Sequence, residues 1–183
     1  MYAVVAFFDD STEQYLNDVW RELREQSISH YSVETQDKRP HITLASYGSL
    51  DKERFIQDMD AFYDRKPAVD IMFNVLGMFL NTGTLFLSPT LSQALLGFHN
   101  SHHKHFSTYN NDPNSLYVPG KWVPHCTIAS RLDADKLKEA FQHCSQKIDT
   151  LHARIKKVAL LEFMYEDNKL IGAPPVFIKE LES

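Results

Sequence analysis

The chain carries the phrase PHITLAS at Pro40–Ser46 and a near copy of it, PHCTIAS, at Pro124–Ser130. Five of the seven positions are identical, and the other two hold apolar residues in both copies. The two phrases stand about half a chain apart in a sequence of 183 residues. A repeat this short can arise by chance, so its meaning depends on whether the flanking sequence repeats as well.

The first half alternates between strand and helix patterns. YAVVAFF predicts a buried strand at Tyr2–Phe8, and STEQ at Ser11–Gln14 has the form of a capping box that opens a helix. After the first phrase, an apolar stripe predicts a second helix, with Phe55, Ile56, Met59 and Phe62 inward. A strand pattern then covers residues 68–80.

The second half follows the same order. Residues 84–88 predict a strand, and a helical stripe follows at Leu91, Ala94, Leu95 and Phe98. After the second phrase we expect a helix that directs inward Leu137, Ala140, Phe141, Cys144 and Ile148. A strand over residues 152–163 closes the half. Because both halves read strand, helix, His-Thr strand, helix, strand, the phrases are equivalent parts of an internal duplication.

Strand geometry sorts the residues of each phrase onto two faces. Successive side chains of a strand point in opposite directions, so His41 and Thr43 share one face while Ile42 and Leu44 share the other. The second copy pairs His125 with Thr127 and places Cys126 and Ile128 on the apolar face. We therefore expect Cys126 to be a buried packing residue rather than a nucleophile.

Composition limits the classes of function. The chain holds 19 Lys and Arg against 24 Asp and Glu, a net charge of −5, so it lacks the basic excess of proteins that bind long duplex nucleic acid. No apolar run approaches a membrane span, and the N-terminus lacks the features of a signal peptide. We expect one domain over residues 1–183 in a cytoplasmic protein without membrane contact. The sequence leaves the oligomeric state open.

A pseudo-twofold fold would bring the two His-Thr pairs face to face across a groove. Imidazole titrates near neutral pH, so one neutral histidine can act as general base while the other, protonated, acts as general acid. The two threonine hydroxyls can donate hydrogen bonds to the oxygens of a phosphate held between them. These four groups meet the needs of displacement at phosphorus without a metal or cofactor.

Paired H-x-T-hydrophobic motifs in a protein of this length resemble the two-histidine phosphoesterase superfamily, which includes 2′-5′ RNA ligase-like proteins and cyclic nucleotide phosphodiesterases. PHITL and WVPHCTI carry the resemblance, which covers essentially the whole chain. It implies an α+β fold with two pseudo-twofold lobes, antiparallel sheets lining a central cleft and helices outside. It further implies His41 and His125 as catalytic acid and base, with Thr43 and Thr127 on the substrate phosphate.

The resemblance implies a phosphodiesterase that acts on a 2′,3′-cyclic phosphate or on a 2′,5′-linked nucleotide or RNA end. Two alternatives stay open. One is a noncatalytic module that binds RNA ends or nucleotides in the same cleft. The other is a metal-binding protein organised by His99, His102, His103 and His105, although no carboxylate or cysteine is fixed beside these histidines. We predict no metal, and surface or half-buried positions for the cluster.

Residues near the two phrases are further candidates for substrate contact. Tyr47 has the strand parity of His41 and could stack on a base. Lys121 and Arg131 share parity with His125 and could extend a positive face, as could Arg39 beside the first phrase. The loop Ser107–Lys121 is rich in turn-forming residues and could act either as a substrate lid or as a plain connection.

Overall fold

The computed structural model describes residues 1–112 and 114–183, which form an α+β fold. The four α-helices are α1 (Asp10–Glu25), α2 (Lys52–Tyr63), α3 (Gln93–His105) and α4 (Ala134–Lys147). The strands are β1 (Tyr2–Phe8), β2 (Ile42–Tyr47), β3 (Val69–Phe79), β4 (Thr84–Pro89), β5 (Cys126–Ala129), β6 (Leu151–Glu162), β7 (Met164–Glu166), β8 (Lys169–Gly172) and β9 (Pro175–Glu180). The predicted order of strands and helices is confirmed in both halves.

The main sheet is antiparallel throughout, with the order β2-β1-β6-β3-β4-β5 and with β9 paired to β6. If β1, β2 and β3 are exchanged with β4, β5 and β6, the same strand order is obtained, read in the reverse direction. An internal duplication requires this symmetry of the order. A rotation axis relating the halves stays a prediction. Strands β7 and β8 form a separate two-stranded ribbon.

Both His-Thr strands carry a bulge at the same place. Along β1 and β2 the pairing passes from Val4 with Ala45 to Val5 with Thr43, which leaves Leu44 without a partner across the ladder. The β4–β5 pairing skips Ile128 in the same way. Since an extra residue in one strand shifts the alternation of faces, side chains beyond each bulge turn to the side opposite to the one that simple parity predicts.

One hydrophobic core contains residues of both halves. The apolar residues of the two phrases belong to it, because Ile42, Leu44, Cys126 and Ile128 are all buried. Burial raises the pKa of the Cys126 thiol to about 12, so this cysteine is a packing residue, as predicted. No helix in the described part of the chain has both the length and the apolar character that a membrane crossing needs.

Three local predictions were wrong. The carboxylate of Asp9, rather than Ser11, caps α1, because it accepts the backbone N–H of Thr12 at 3.0 Å. Leu91 lies outside α3 and is half exposed. Phe141 is exposed on α4, where the buried stripe is narrow and consists of Ala140 and Cys144 with Leu137 packed beside them.

His99, His102 and His103 of α3 form a buried ladder, although surface or half-buried positions were predicted, and only His105 of the cluster is exposed. His102 contacts the hydroxyls of Tyr47 and Tyr63 through its two ring nitrogens, at 2.9 and 2.8 Å. His99 donates to the carbonyl of Tyr117 at 2.7 Å, and His103 donates to the carbonyl of Leu44 at 3.0 Å. The ladder therefore supports the bulge of β2, whose Leu44 carbonyl it occupies.

These contacts occupy both ring nitrogens of His102 and the Nε2 atoms of His99 and His103. Within residues 1–112 and 114–183, no three His, Cys, Asp or Glu side chains are grouped to hold a metal ion. His105, the fourth member of the sequence cluster, stacks on Phe62 with ring centroids 4.3 Å apart.

The ladder makes the fold sensitive to acid. Burial lowers the pKa of His99 to about 4 and also lowers the pKa of His102 and His103. Below pH 6.5 these histidines bind more protons in the unfolded chain than in the folded chain. The free energy of unfolding should therefore decrease as the pH is lowered. Each such histidine contributes up to about 1.4 kcal/mol per pH unit. Urea unfolding between pH 7.5 and 5.0 measures this slope.

His99→Gln keeps a side-chain donor and should flatten the slope, whereas His30→Gln, at an exposed position, should leave it unchanged. Unfolding free energies that do not vary over this pH range in the wild-type protein would contradict the prediction.

Candidate active site

The four motif residues lie together in one cavity of about 330 Å³. His41, Thr43, His125 and Thr127 all line it, and all four are half-buried. Each histidine immediately precedes its strand, and the following apolar residue anchors the strand in the core. The structure thus brings together the residues that the two phrases single out, while their chemical roles stay a prediction.

Backbone contacts fix the same tautomer in both histidines. The Nδ1 atom of His41 lies 2.7 Å from the carbonyl of Arg39, and the Nδ1 atom of His125 lies 2.7 Å from the carbonyl of Val123. A carbonyl oxygen only accepts hydrogen bonds, so each Nδ1 carries a hydrogen. Nε2 is therefore the nitrogen that can take up or release a proton in each ring.

The surroundings lower the pKa of both histidines. Burial is the largest cause for each, and the positive charges of His125, Lys38 and Arg39 lower the pKa of His41 further. This shift favours the neutral form of both rings in the free protein. An anion bound between them would raise both pKa values and favour one protonated ring.

The two threonines are held by residues of the opposite half. The indole N–H of Trp20 donates to the carbonyl of Thr127 at 3.2 Å, and the indole N–H of Trp122 donates to the carbonyl of Thr43 at 2.9 Å. Tyr31 and Tyr117 line the same cavity as these threonines.

The cavity extends over the end of the sheet formed by β2, β1 and β6. Its floor there consists of the small and apolar side chains of β1, Ala3, Val5 and Phe7, and it continues past Leu161 and Phe163. Its roof is the segment around Gln36, whose backbone N–H donates to Ile171 of the β7–β8 ribbon at 3.2 Å.

Aromatic rings fill the matching space over the other end of the sheet, which is formed by β3, β4 and β5. Phe79 packs on Phe86 with centroids 4.3 Å apart and meets the ring of His125 edge-on at 4.7 Å. Phe86 lies directly over Gly77, where an added Cβ would come within 2.7 Å of the phenyl ring. The cavity is therefore open on one side of the histidine pair and closed on the other.

Cationic side chains line the open side of the cavity. Lys38 is half-buried with its ammonium 3.5 Å over the ring of Tyr31, and the loss of solvent contact lowers its pKa to about 8. Arg39 makes two contacts of 2.7 Å with Glu13 and lies over the ring of Phe7. These contacts fix both cations within reach of the cavity, which both residues line.

One of the predicted substrate contacts is wrong. Tyr47 is fully buried in the core, because the bulge at Leu44 turns it away from the cavity and turns Ser46 into it. Lys121 is exposed at a turn of the backbone over Val118–Lys121, outside the described lining of the cavity, and its contact with substrate stays a prediction.

Arg131 does line the cavity, with its guanidinium 3.9 Å from Glu34 and largely exposed. The loop Ser107–Lys121, apart from residue 113, contributes Tyr117 to the cavity and places Ser115 against Ser46 at 3.3 Å. A lid role for this loop stays a prediction.

Sequence reasoning missed Tyr31, Tyr117 and Lys38. Tyr31 stands ten residues before His41 and Tyr117 eight before His125, so the two tyrosines do not share a fixed spacing from the motif. Each lines the cavity together with the threonine of the opposite half, and a pattern read along one half cannot report such a neighbour.

The model of the 2′-5′ RNA ligase superfamily matches residues 8–164. The fold is similar to that of LigT from E. coli, with a TM-score of 0.63, 11% identity and coverage of 100% of this chain and 97% of that one. It is also similar to TT0787 of Thermus thermophilus, with a TM-score of 0.62, 13% identity and coverage of 98% and 96%. A solved structure described as a phosphoesterase gives a TM-score of 0.63 at 13% identity, covering 100% of this chain and 98% of that one.

No curated protein sequence matches the chain. The family match spans most of the residues and includes both His-Thr phrases, and the solved structures share the fold over essentially the full length. The chain therefore belongs to the 2′-5′ RNA ligase superfamily, whose fold is that of the two-histidine phosphoesterases.

Proposed function

We propose that the protein is a phosphodiesterase that hydrolyses a 2′,3′-cyclic phosphate or a 2′,5′-linked nucleotide or RNA end without a metal. The observation that carries this proposal is the convergence of two histidines, with the same tautomer, and two threonines on one cavity. Membership of the superfamily supports phosphoester chemistry, and the details below rest on the geometry of this chain.

In the proposed reaction the Nε2 atom of one neutral histidine takes a proton from water as the water oxygen attacks phosphorus. The bond from phosphorus to the 2′ or 3′ oxygen breaks, and Nε2–H of the other histidine protonates that leaving oxygen. Thr43 and Thr127 donate hydrogen bonds to the non-bridging oxygens, where negative charge builds up. Exchange with solvent restores the two protonation states after each turnover.

The cavity supports a small nucleotide as substrate. Its volume of about 330 Å³ is at the lower end of the range for ligand sites, about 300–1,000 Å³, and suits a single nucleotide rather than a longer strand. The apolar floor over β1 offers a surface for a flat base, and Lys38 and Arg39 lie beside the phosphate position. LigT, which shares the fold, has been crystallised with 3′-AMP, ATP and phosphate.

The first test is turnover of a panel of 2′,3′-cyclic nucleotides and 2′,5′-linked dinucleotides, with and without chelator. His41→Ala and His125→Ala should each lower kcat at least about 100-fold, roughly 2.7 kcal/mol, because each removes an acid or a base. Thr43→Ala and Thr127→Ala should cost about 10- to 100-fold, since a hydrogen bond to a charged group is worth about 1.5–3 kcal/mol. Chelator should leave the activity in place.

His30→Ala, which removes an exposed histidine, is the matched control and should behave as wild type. Near-wild-type turnover in a folded His125→Ala variant would rule out the two-histidine mechanism. Nucleotide binding in the cavity without turnover of any substrate would favour the noncatalytic binding module.

The pH dependence follows from the lowered pKa values of His41 and His125. One ring must be neutral and the other protonated, so kcat/KM should trace a bell with its maximum below about pH 6.5, the ordinary histidine pKa. The anionic substrate raises both pKa values in the complex, so the kcat profile should lie at higher pH than the kcat/KM profile. Steady-state kinetics from pH 4.5 to 9 measure both, and a kcat/KM maximum above pH 7 would contradict the prediction.

A Lys38→Met variant tests whether His41 is the general base or the general acid. The Lys38 charge lowers the pKa of His41, so its removal should move the limb that belongs to His41 to higher pH. A shift of the acid limb identifies His41 as the base, and a shift of the alkaline limb identifies it as the acid. A profile in which neither limb moves would contradict the proposed placement of Lys38 beside His41.

The open side of the cavity should hold the base of the substrate. Ala3→Phe fills the floor over β1 and should raise KM for cyclic nucleotides at least about tenfold while changing the turnover of base-free ribose 2′,3′-cyclic phosphate little. Val176→Phe adds the same ring to β9 at a partly exposed position and serves as the control. Equal losses on both substrates in a folded Ala3→Phe variant would place the base elsewhere.

A further inference from the structure

The register of the sheet aligns its two ends residue by residue. Val5 pairs with Thr43 across β1 and β2, and Phe86 pairs with Thr127 across β4 and β5. The bulge in each His-Thr strand lies next to this pair, so the two pairs correspond in both position and geometry. Val5 and Phe86 are therefore equivalent residues, each beside the threonine of its own edge strand.

The next strands inward, β6 and β3, extend the comparison. The residues that pair there with the two positions just named are Ala159 on β6 and Gly77 on β3. Two residues further along the same strands, and on the same face, stand Leu161 and Phe79. At two of these three equivalent positions, an aliphatic side chain at one end of the sheet corresponds to a phenyl ring at the other end.

The two rings occupy the space beside His125. Phe79 meets the imidazole edge-on with ring centroids 4.7 Å apart, and Phe86 lies tilted against it at 5.4 Å. Val5 and Leu161 line the cavity, whereas neither phenylalanine is among the lining residues of the described chain. The open side of the histidine pair therefore has room for a nucleoside, and the closed side is filled by side chains.

The two substrate classes of the proposed function differ in the space that they need on the closed side. In a 2′,5′-linked dinucleotide the two ester oxygens belong to different nucleosides, so a phosphate between the histidines has a nucleoside on each side. In a 2′,3′-cyclic phosphate both ester oxygens belong to one ribose. One nucleoside on the open side then suffices, and only the attacking water needs to reach the phosphorus from the other side.

We propose that Phe79 and Phe86 are specificity-determining residues that exclude a second nucleoside and restrict the enzyme to cyclic phosphates of a single ribose. This inference rests on the proposed function and selects one of its two substrate classes. Water adds to phosphorus, the bond to the 2′ or 3′ oxygen breaks, and that oxygen takes up a proton. The reaction therefore gives one nucleoside monophosphate and releases no second nucleoside.

The test gives the closed side the residues that the open side has at equivalent positions, through the triple variant Gly77→Ala, Phe79→Leu and Phe86→Val. Hydrolysis of adenosine 2′,3′-cyclic phosphate and of a 2′,5′-linked adenosine dinucleotide is measured with each enzyme. The wild-type protein should prefer the cyclic substrate by at least about 100-fold in kcat/KM, and the triple variant should reduce this preference at least about tenfold. The ratio is independent of the amount of active enzyme.

Two single variants complete the comparison. Phe79→Leu should reduce the preference in the same direction, and it replaces the triple variant in the test if the latter does not fold. Phe141→Leu removes an exposed ring from α4, outside the described lining of the cavity, and should leave the ratio at its wild-type value.

Cleavage of the dinucleotide by the wild-type protein within about tenfold of the cyclic substrate would overturn the inference. A stronger preference for the cyclic substrate in folded Phe79→Leu would overturn it too, because the ring would then be a platform on which the second base stacks.

Failure of the wild-type protein to cleave either substrate would instead count against the proposed function. Calorimetric titration with 3′-AMP and with the dinucleotide then tests the exclusion by itself. Binding of 3′-AMP alone by the wild-type protein, and of both ligands by the triple variant, would support the exclusion. Equal affinity of the wild-type protein for both ligands, or binding of neither, would overturn it.

Discussion

The cavity depends on bringing the two edge strands of the sheet together. β2 and β5 lie at opposite ends of the strand order, yet their His-Thr ends line one cavity, and each threonine carbonyl accepts an indole N–H from the other half. A flat sheet would keep these edges far apart. Closing them places two imidazoles and two hydroxyls in one space, and it also satisfies carbonyls that the edge and the bulge leave without a ladder partner.

The two ends of the duplicated sheet differ in how much space they leave beside the histidines. The two halves share element order, bulge position and histidine tautomer, yet Phe79 and Phe86 fill the space over β3 and β4 while Ala3 and Val5 leave the space over β1 open. Gly77 permits this closure, because a side chain there would collide with Phe86. The approach to the two histidines is therefore asymmetric, so that in the proposed reaction the substrate has one orientation between them.

Histidine has two distinct uses in this protein, and the environment separates them. His41 and His125 each bond one carbonyl and keep Nε2 available at the cavity. His102 has both nitrogens occupied by tyrosine hydroxyls, and His99 and His103 donate to carbonyls that belong to the loop and the bulge around the site. The ladder therefore contributes to the cavity only indirectly, by holding the backbone near Thr43 and the residues that contact it.

The sequence by itself determined the alternation of strands and helices, the equivalence of the two phrases, and the split of each phrase into a core face and a polar face. These properties follow from residue spacing along one element, where strand parity and helical periodicity relate neighbours directly. The same reasoning singled out His41, Thr43, His125 and Thr127, because a motif repeated inside a duplication stands out without knowledge of the fold.

Only the tertiary structure decided what depends on pairing between distant segments. The bulge at Leu44 turned Tyr47 into the core, although parity along the strand predicted the cavity. Tyr31 and Tyr117 line the cavity together with the threonines of the opposite half, and α3 buries histidines that composition alone would leave at the surface. A bulge arises from the register of two strands, and burial arises from what packs on a helix, so neither is encoded in the spacing of residues along a single segment.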